Sequence, residues 1–159
     1  MLNMFKKPYE LLAPVSGKVL ELAQVPDQVF AQKMAGDGIA IEAEGDLVLA
    51  PADGKLSFIF RTNHAFGMVL GNGVEILVHV GIDTVNLNGE GFERLAEEGA
   101  MLRAGDRVLK IRRKTLAEKG MSFVTPVVIS NADKVAQMRP GDRPVVQAGR
   151  DVVLRYRLK

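Results

Sequence analysis

Glycine and proline divide the chain into short segments rich in Val, Ile and Phe, and this punctuation constrains the fold more than any other feature. The 16 glycines and 7 prolines leave no long stretch with the 3.6-residue apolar period of an amphipathic helix. Short apolar runs between turn residues are typical of antiparallel β-sandwiches and barrels. The sequence therefore predicts a single all-β domain over residues 1–159, an antiparallel sandwich or barrel-like fold with few short helices.

The segments can be assigned individually from their composition and from the turn residues that bound them. The predicted strands are residues 15–22, 38–43, 46–50, 55–60, 65–70, 74–80, 107–111, 125–130 and 151–157. Short helical turns are predicted at residues 26–30, 114–119 and 133–138.

Two turn sequences recur along the chain. The Ala-Pro-x-x-Gly-Lys turn at residues 13–18 returns at residues 50–55, and the Gly-Asp turn at residues 103–107 is echoed at residues 139–143. Turn chemistry alone favours such residues, which is the alternative explanation. We favour duplication, which predicts two similar β units packed into one domain.

Charge and composition exclude several classes of function. With 21 Lys and Arg against 19 Asp and Glu, the net charge of +2 is too small for a nucleic-acid-binding surface. The absence of cysteine excludes disulfides and thiol nucleophiles. No apolar run is long enough to span a membrane, so we expect a cytoplasmic protein without membrane insertion.

The two histidines of the chain, His64 and His79, flank a predicted hairpin turn at residues 70–73. A two-residue loop at Gly71 and Asn72 would make them direct cross-strand partners, with Cβ atoms about 4.5–5.5 Å apart. A three-residue loop would shift the register by one and place them on opposite faces.

The two-residue register also assigns the faces of the hairpin. The predicted core face is Ala65, Gly67, Val69, Val74, Ile76, Val78 and Val80. The predicted histidine face adds Thr62, Phe66, Met68, Glu75 and Leu77, with Phe60 just upstream.

A histidine pair among apolar side chains suits nucleophilic phosphoryl transfer. Adjacent imidazoles disfavour double protonation, so one ring keeps a free nucleophilic nitrogen while the other donates a hydrogen bond. No nucleotide-binding glycine-rich motif occurs, so we expect the phosphate to arrive on another protein. The second interpretation is zinc, for which the pair supplies two ligands and Asp83, Asp27, Glu75 or a partner must supply the rest.

The segment that begins at His79 resembles a known active-site signature. Residues 79–92, His-Val-Gly-Ile-Asp-Thr-Val-Asn-Leu-Asn-Gly-Glu-Gly-Phe, are similar to that of the glucose-type enzyme IIA of the bacterial phosphoenolpyruvate-dependent sugar phosphotransferase system. The resemblance continues through residues 25–30, 36–41, 62–66 and 125–131, and covers nearly the whole chain from Leu12. It implies one glucose-type IIA domain over residues 1–159, a β-sandwich with a duplicated barrel-sandwich motif, and a short N-terminal tail at residues 1–11.

The resemblance implies the roles of the central residues. His79 is the phosphorylated nucleophile, which reacts through Nε2 and accepts phosphate from the phosphocarrier HPr. The phosphate then passes to a cysteine of a IIB domain and to a sugar that enters through the membrane IIC domain. His64 matches the assisting histidine, needed more for onward transfer than for accepting phosphate, and Thr62 matches a threonine that hydrogen-bonds the active histidine.

The resemblance also implies a partner-binding surface around the histidines. Asp27 and Asp83 match carboxylates that border the site, although Asp27 is also placed to cap a short helix after Pro26. The implied apolar docking residues are Phe30, Met34, Phe60, Leu77 and Val85.

Two residues bear on the choice of partner. Gly67 and Leu77 stand where enterobacterial relatives have bulkier or aromatic residues, a change on the partner-facing surface.

The alternative function is a regulatory protein-binding module that uses the same face, with an interfacial zinc held by His64 and His79 and no other cofactor.

Overall fold

The structure is a computed structural model, and it describes residues 7–159. Most of its regular structure is β-strand, as predicted. The strands are Tyr9–Leu12 (β1), Gly17–Glu21 (β2), Asp37–Ala43 (β3), Leu47–Leu49 (β4), Gly54–Ile59 (β5), Ala65–Leu70 (β6), Glu75–His79 (β7), Phe92–Arg94 (β8), Met101–Leu102 (β9), Arg107–Ile111 (β10), Val124–Ile129 (β11), Val135–Pro140 (β12), Val145–Val146 (β13) and Val152–Leu158 (β14).

The helices are short. Gln28–Ala31 (α1) and Arg113–Glu118 (α2) lie close to two of the predicted helical turns, and three 3₁₀ turns occupy Leu22–Gln24, Thr84–Leu87 and Ala132–Lys134. The helical turn predicted at residues 133–138 is wrong for all but its first two residues, which lie in the 3₁₀ turn Ala132–Lys134. Residues 135–138 belong to β12, because pairing with β14 overrides the weak local preference of this short segment.

The strands form three antiparallel sheets. The largest has eight strands in the order β13-β2-β3-β11-β7-β6-β5-β9, and two three-stranded sheets have the orders β1-β14-β12 and β4-β10-β8. One apolar core joins all three, with Leu154, Phe66 and Val108 as members from the separate sheets. A smaller cluster around Phe30 and Val128 packs α1 against the large sheet.

Reciprocal hydrogen bonds join the two copies of the Ala-Pro turn. Leu12 N–H donates to the Pro51 carbonyl at 2.8 Å, and Leu49 N–H donates to the Pro14 carbonyl at 2.7 Å. These four residues are related by the constant offset of the repeat, so the predicted duplication at residues 13–18 and 50–55 is a structural one.

The second predicted repeat, of the turn at residues 103–107, has a different partner in the structure. Gly105 N–H donates to the Ala50 carbonyl, and the equivalent bond to Ala13 comes from Gly149. The counterpart of the turn at residues 103–107 is therefore the turn at residues 147–151, and the Gly-Asp pair at residues 141–142 matches it in sequence only.

The N-terminal end departs from the predicted tail. Residues 1–6 lie outside the described part of the chain, but Tyr9–Leu12 is strand β1 and pairs with β14. Leu11 is fully buried, and this burial holds the segment in the fold. No helix within residues 7–159 is both long enough and apolar enough to cross a membrane.

Candidate functional site

The β6–β7 hairpin carries the site, and its register differs from the predicted one. Ala65 pairs with His79 and Val69 with Glu75, so the loop is a three-residue turn rather than Gly71 and Asn72 alone. Gly73, with φ +87°, closes it by donating its N–H to the Leu70 carbonyl. A glycine free to adopt positive φ lets the turn take a third residue.

The shift by one residue inverts the predicted faces of β6 while leaving those of β7 correct. The core face is Phe66, Met68, Leu70, Val74, Ile76, Val78 and Val80, all buried. The outer face, which bears His79, is Ala65, Gly67, Val69, Glu75 and Leu77. The placement of Phe66 and Met68 beside the histidines was therefore wrong.

The histidine rings are nevertheless neighbours, with centroids 4.8 Å apart and planes at 80°. His64 lies just before β6, after Asn63 with φ +58°, so the strict alternation of the strand does not extend to it. Its carbonyl still accepts from the Val80 N–H at 2.7 Å, which ties this turn to the end of β7. The expectation that a three-residue loop would place the two histidines on opposite faces is therefore wrong, because the chain turns at Asn63.

His79 is held in one tautomer by a backbone carbonyl. Its Nδ1–H donates to the Gly81 carbonyl at 2.8 Å, because a carbonyl oxygen can only accept. Gly81 has φ +77°, and a Cβ there would lie 2.5 Å from Thr84 Cγ2 and 2.6 Å from the Ser122 carbonyl oxygen. In the neutral ring, Nε2 therefore carries the lone pair.

The charge state of His79 reflects two opposing influences. Burial lowers its pKa below the ordinary 6.5, and this effect dominates. The Gly81 hydrogen bond and the charges of Asp27 and Asp83 act in the other direction and raise the pKa. Phe30, whose ring centroid is 5.0 Å from that of His79, covers one side of the ring. His79 is therefore neutral at pH 7, and these groups partly offset the cost of a positive charge on its ring.

His64 lies deeper, and no carboxylate within residues 7–159 is among the causes of its pKa shift. The residue is 1% exposed, and its ring makes an edge contact with Phe60 at 5.2 Å. Desolvation, and then the charge of His79, lower the pKa of His64 from 6.5 to about 4. His64 therefore stays neutral throughout the physiological range.

Thr62 contacts a different histidine from the one that the resemblance implied. Its Oγ1 is 2.6 Å from Nδ1 of His64, whereas Nδ1 of His79 bonds to the Gly81 carbonyl. When the Thr62 hydroxyl is the donor, the neutral His64 ring carries its proton on Nε2. Thr62 is thus positioned to set the tautomer of the assisting ring.

Asp27 combines both of the roles considered for it. Its carboxylate accepts from the Val29 N–H at 2.9 Å and so caps α1, while its charge acts on His79. Asp83, with φ +59°, precedes the 3₁₀ turn Thr84–Leu87 and acts on His79 more weakly. The structure brings both carboxylates close enough to affect His79.

The predicted docking residues divide by exposure. Met34, Val85 and Phe60 are 70%, 49% and 40% exposed, whereas Phe30 is buried and Leu77 partly buried. Two further apolar side chains that the sequence did not single out, Val29 and Phe58, are also exposed at 46% and 38%.

Sequence reasoning also missed two groups that fix the site. The Gly81 carbonyl left no signal, since any residue has one. Arg94 on β8 donates from Nε to the Asn63 side chain at 3.1 Å, and so braces the turn before His64. Only the tertiary fold brings Arg94 to this turn. Within residues 7–159, no group of three or more His, Cys, Asp or Glu is placed to hold a metal ion.

Comparison with known proteins places this site in a family. The family model for the phosphoenolpyruvate-dependent sugar phosphotransferase system, EIIA 1, matches residues 9–135. The glucose-specific EIIA component of Borreliella burgdorferi is 49% identical over 139 residues, which span 86% of this chain and 74% of that protein. The N-acetylglucosamine-specific EIICBA component of Klebsiella pneumoniae is 49% identical over 123 residues, 77% of this chain and 19% of that protein.

A solved structure agrees with the fold as well as with the sequence. The glucose permease IIA from Mycoplasma capricolum superposes with a TM-score of 0.86 at 37% identity, covering 94% of this chain and 97% of that one. The chain therefore belongs to the EIIA 1 family of the phosphoenolpyruvate-dependent sugar phosphotransferase system, as a phosphotransferase component that carries phosphate in sugar uptake.

Proposed function

We propose that Nε2 of His79 is the nucleophile that accepts the phosphoryl group. The observation that carries this proposal is the Nδ1–H bond to the Gly81 carbonyl, which leaves the Nε2 lone pair free. The lowered pKa of His79 keeps this lone pair available at neutral pH. His79 is also the more exposed of the two histidines, so a partner protein can reach it.

The transfer balances without a metal or nucleotide. The N–P bond of the donor phosphohistidine breaks as the bond between His79 Nε2 and phosphorus forms. The product ring keeps its Nδ1 proton and becomes positively charged. The Gly81 carbonyl, Asp27 and Asp83 stabilise that charge, just as they raise the pKa of the unmodified ring.

His64 serves as the neutral hydrogen-bond donor of this pair. With Thr62 donating to Nδ1, the Nε2–H of His64 is available to the phosphoryl oxygens, whose charge it stabilises in the transition state. The 4.8 Å between ring centroids allows a phosphoryl group on His79 to contact His64. Its pKa of about 4 means that this role does not depend on pH between 6 and 8.

We propose HPr as the donor and a cysteine of a IIB domain as the acceptor, with Met34, Phe60 and Val85 among the contact residues. The curated relative from Klebsiella pneumoniae is an EIICBA component, in which the matching segment belongs to the same protein as its C and B parts. Glucose is the proposed sugar, because the relative from Borreliella burgdorferi is a glucose-specific EIIA component. The cytoplasmic location remains a prediction, which cell fractionation tests.

The test is intact mass after incubation with phosphoenolpyruvate, enzyme I and HPr. We expect a gain of one phosphoryl group, about 80 Da, that is lost in acid as phosphohistidine chemistry requires. His79→Gln should gain nothing, while His64→Gln should still gain the group. Phosphate on His79→Gln, or none on the unaltered protein when HPr charges a control EIIA, would overturn the assignment.

A second candidate function is regulatory binding through the same face, with zinc at the interface. Two neutral rings 4.8 Å apart supply two of the three or four ligands of a zinc ion, and a partner would have to supply the others. Zinc titration with and without the candidate partner distinguishes this function, because chelation would abolish binding while leaving phosphate transfer from HPr intact.

A further inference from the structure

A β-bulge interrupts the pairing of β5 with β6 beside the site. Leu56 pairs with Met68, but the next registered pair is Phe58 with Gly67, so Ser57 is an extra residue on β5. Ser57 and Phe58 both face solvent between buried Leu56 and Ile59. Bulges are known to redirect side chains next to active sites, and this one turns Phe58 outward.

Gly67 provides the space that the Phe58 ring occupies. A Cβ added at Gly67 would lie 2.2 Å from Cε1 and 2.5 Å from Cζ of Phe58, far inside van der Waals contact. The φ of Gly67 is not positive, so the backbone does not require glycine there. The position of the Phe58 ring requires it.

The Phe58 ring continues the aromatic contacts of the histidine pair. It stacks on Phe60 with centroids 5.4 Å apart and planes at 30°. Phe60 in turn touches His64, whose ring touches His79. Phe58 and Phe60 remain 38% and 40% exposed, so the stack presents an apolar surface to solvent.

Strand register places this surface on the same face as His79. Gly67 pairs with Leu77, and two residues along the same strands Ala65 pairs with His79. Phe58 pairs with Gly67 from the other side. A row formed by Phe58, Gly67 and Leu77 therefore lies next to the row that bears the reacting histidine.

Phe58 lies closer to His79 than the radius of a typical protein interface. The ring-to-ring steps of 4.8, 5.2 and 5.4 Å limit the distance between His79 and Phe58 to about 15 Å. A standard interface covers about 800 Å² on each partner, which corresponds to a radius of about 16 Å. A partner centred on His79 would therefore cover Phe58.

We propose that Phe58, seated on Gly67, is a docking residue for HPr and extends the contact surface of this chain beyond Phe60. The inference rests on the proposed function, since it takes His79 as the centre of the interface. Aromatic side chains are over-represented among the interface residues that carry most of the binding energy. Gly67 contributes indirectly, by leaving room for the ring.

A double-mutant cycle tests both parts of the proposal. We expect Phe58→Ala to raise the KM for phospho-HPr about tenfold, with kcat within about twofold. Gly67→Ala should raise KM by a similar factor, because its methyl group displaces the ring. The double variant should be no worse than Phe58→Ala, since Gly67 has no ring left to seat. Thermal unfolding of each variant measures any change in stability.

Met101→Ala is the matched control. Met101 is 75% exposed on β9 and pairs with Lys55, toward the end of β5 away from the histidines, so its loss should leave KM unchanged. If Phe58→Ala changes KM no more than Met101→Ala does, or if Gly67→Ala acts equally with and without Phe58, the inference is wrong. Failure of the unaltered protein to accept phosphate from HPr would instead refute the proposed function.

Discussion

The two histidines have the same side chain and touching rings, but their surroundings differ in kind. His64 is 1% exposed, lies against Phe60 and shares a hydrogen bond with a threonine hydroxyl. His79 is half-buried, donates to a backbone carbonyl and lies within the influence of two carboxylates. The difference shows how a fold assigns separate tasks to chemically identical groups.

The carboxylates make the main electrostatic difference. Burial lowers the pKa of both rings, but only His79 has Asp27 and Asp83 to oppose that effect. A ring that must become positive on phosphorylation needs such opposing charges, whereas a ring that only donates a hydrogen bond is better kept neutral. Five changes would break or sharpen this contrast.

His64→Gln removes the assisting ring and should have the largest effect. We expect transfer from phosphorylated protein to IIB to slow about 100-fold, because the phosphoryl oxygens lose a preorganised donor in a dry site. Acceptance from HPr should slow less than tenfold. Rapid-quench assays of the two half-reactions measure both rates. Equal slowing of both half-reactions would contradict the assignment of His64 to onward transfer.

The pH dependence of the free energy of unfolding should distinguish His64 from His79, with the second-largest effect. The pKa of His64 is about 4 in the folded chain and 6.5 when unfolded, so the unfolded state binds more protons between these values. The free energy of unfolding should therefore fall as pH drops from 6.5 to 4, by roughly 3 kcal/mol from His64 alone. Below pH 4 this contribution no longer changes.

Urea unfolding of the protein and of His64→Gln at pH 7.5, 5.5 and 4.5 checks this expectation. The variant should lose much of the pH dependence, and the difference between the two curves isolates His64 from the carboxylates that titrate in the same range. His79→Gln is the control. Asp27 and Asp83 partly offset the lowering of the pKa of His79, so this variant should lose less of the pH dependence than His64→Gln does. Parallel curves for His64→Gln and the unaltered protein would show that His64 is not desolvated.

Much of the fold could be predicted because its signals are local. Apolar runs between turns located β6 and β10 at their observed bounds, and the Ala-Pro repeat revealed the duplication. The segment Val135–Pro140 was assigned wrongly, because it becomes a strand only by pairing with β14. Strand β1 was missed for the same reason, since its partner is at the other end of the chain.

The site was predicted in its residues more than in its geometry. The spacing of His64 and His79 predicted that they are neighbours, but the assumed register was wrong by one residue. The two rings are still in contact because the chain bends at Asn63. The bond from Thr62 to His64 and the bond from His79 to Gly81 depend on that bend and on a left-handed glycine. Neither leaves a periodic signal in the sequence.

Thr62→Val tests how His64 is kept in one tautomer. Valine matches threonine in shape but cannot bond to Nδ1, so the buried ring loses this hydrogen bond and its tautomers mix. We expect transfer to IIB to slow about tenfold, less than for His64→Gln. Nitrogen NMR shifts of the ring report the tautomer directly. Thr115→Val on α2 is the control, and unchanged His64 shifts in Thr62→Val would rule out the positioning role.

Asp27→Asn should produce a smaller and more selective effect. Asparagine caps helices as well as aspartate does, so α1 keeps the bond to the Val29 N–H while the charge near His79 is lost. Because Asp27 raises the pKa of His79, its removal should lower that pKa further.

Asp83→Asn, at a left-handed position that asparagine tolerates, should shift the pKa of His79 in the same direction by less. Ring-proton NMR titration of both histidines measures the shifts. The pKa of His64 should stay in place, because its lowering comes from burial and from His79 rather than from either carboxylate. Equal shifts at both rings would mean that the two carboxylates act on the pair as a whole, and the contrast between a chargeable and a permanently neutral histidine would then rest on burial alone.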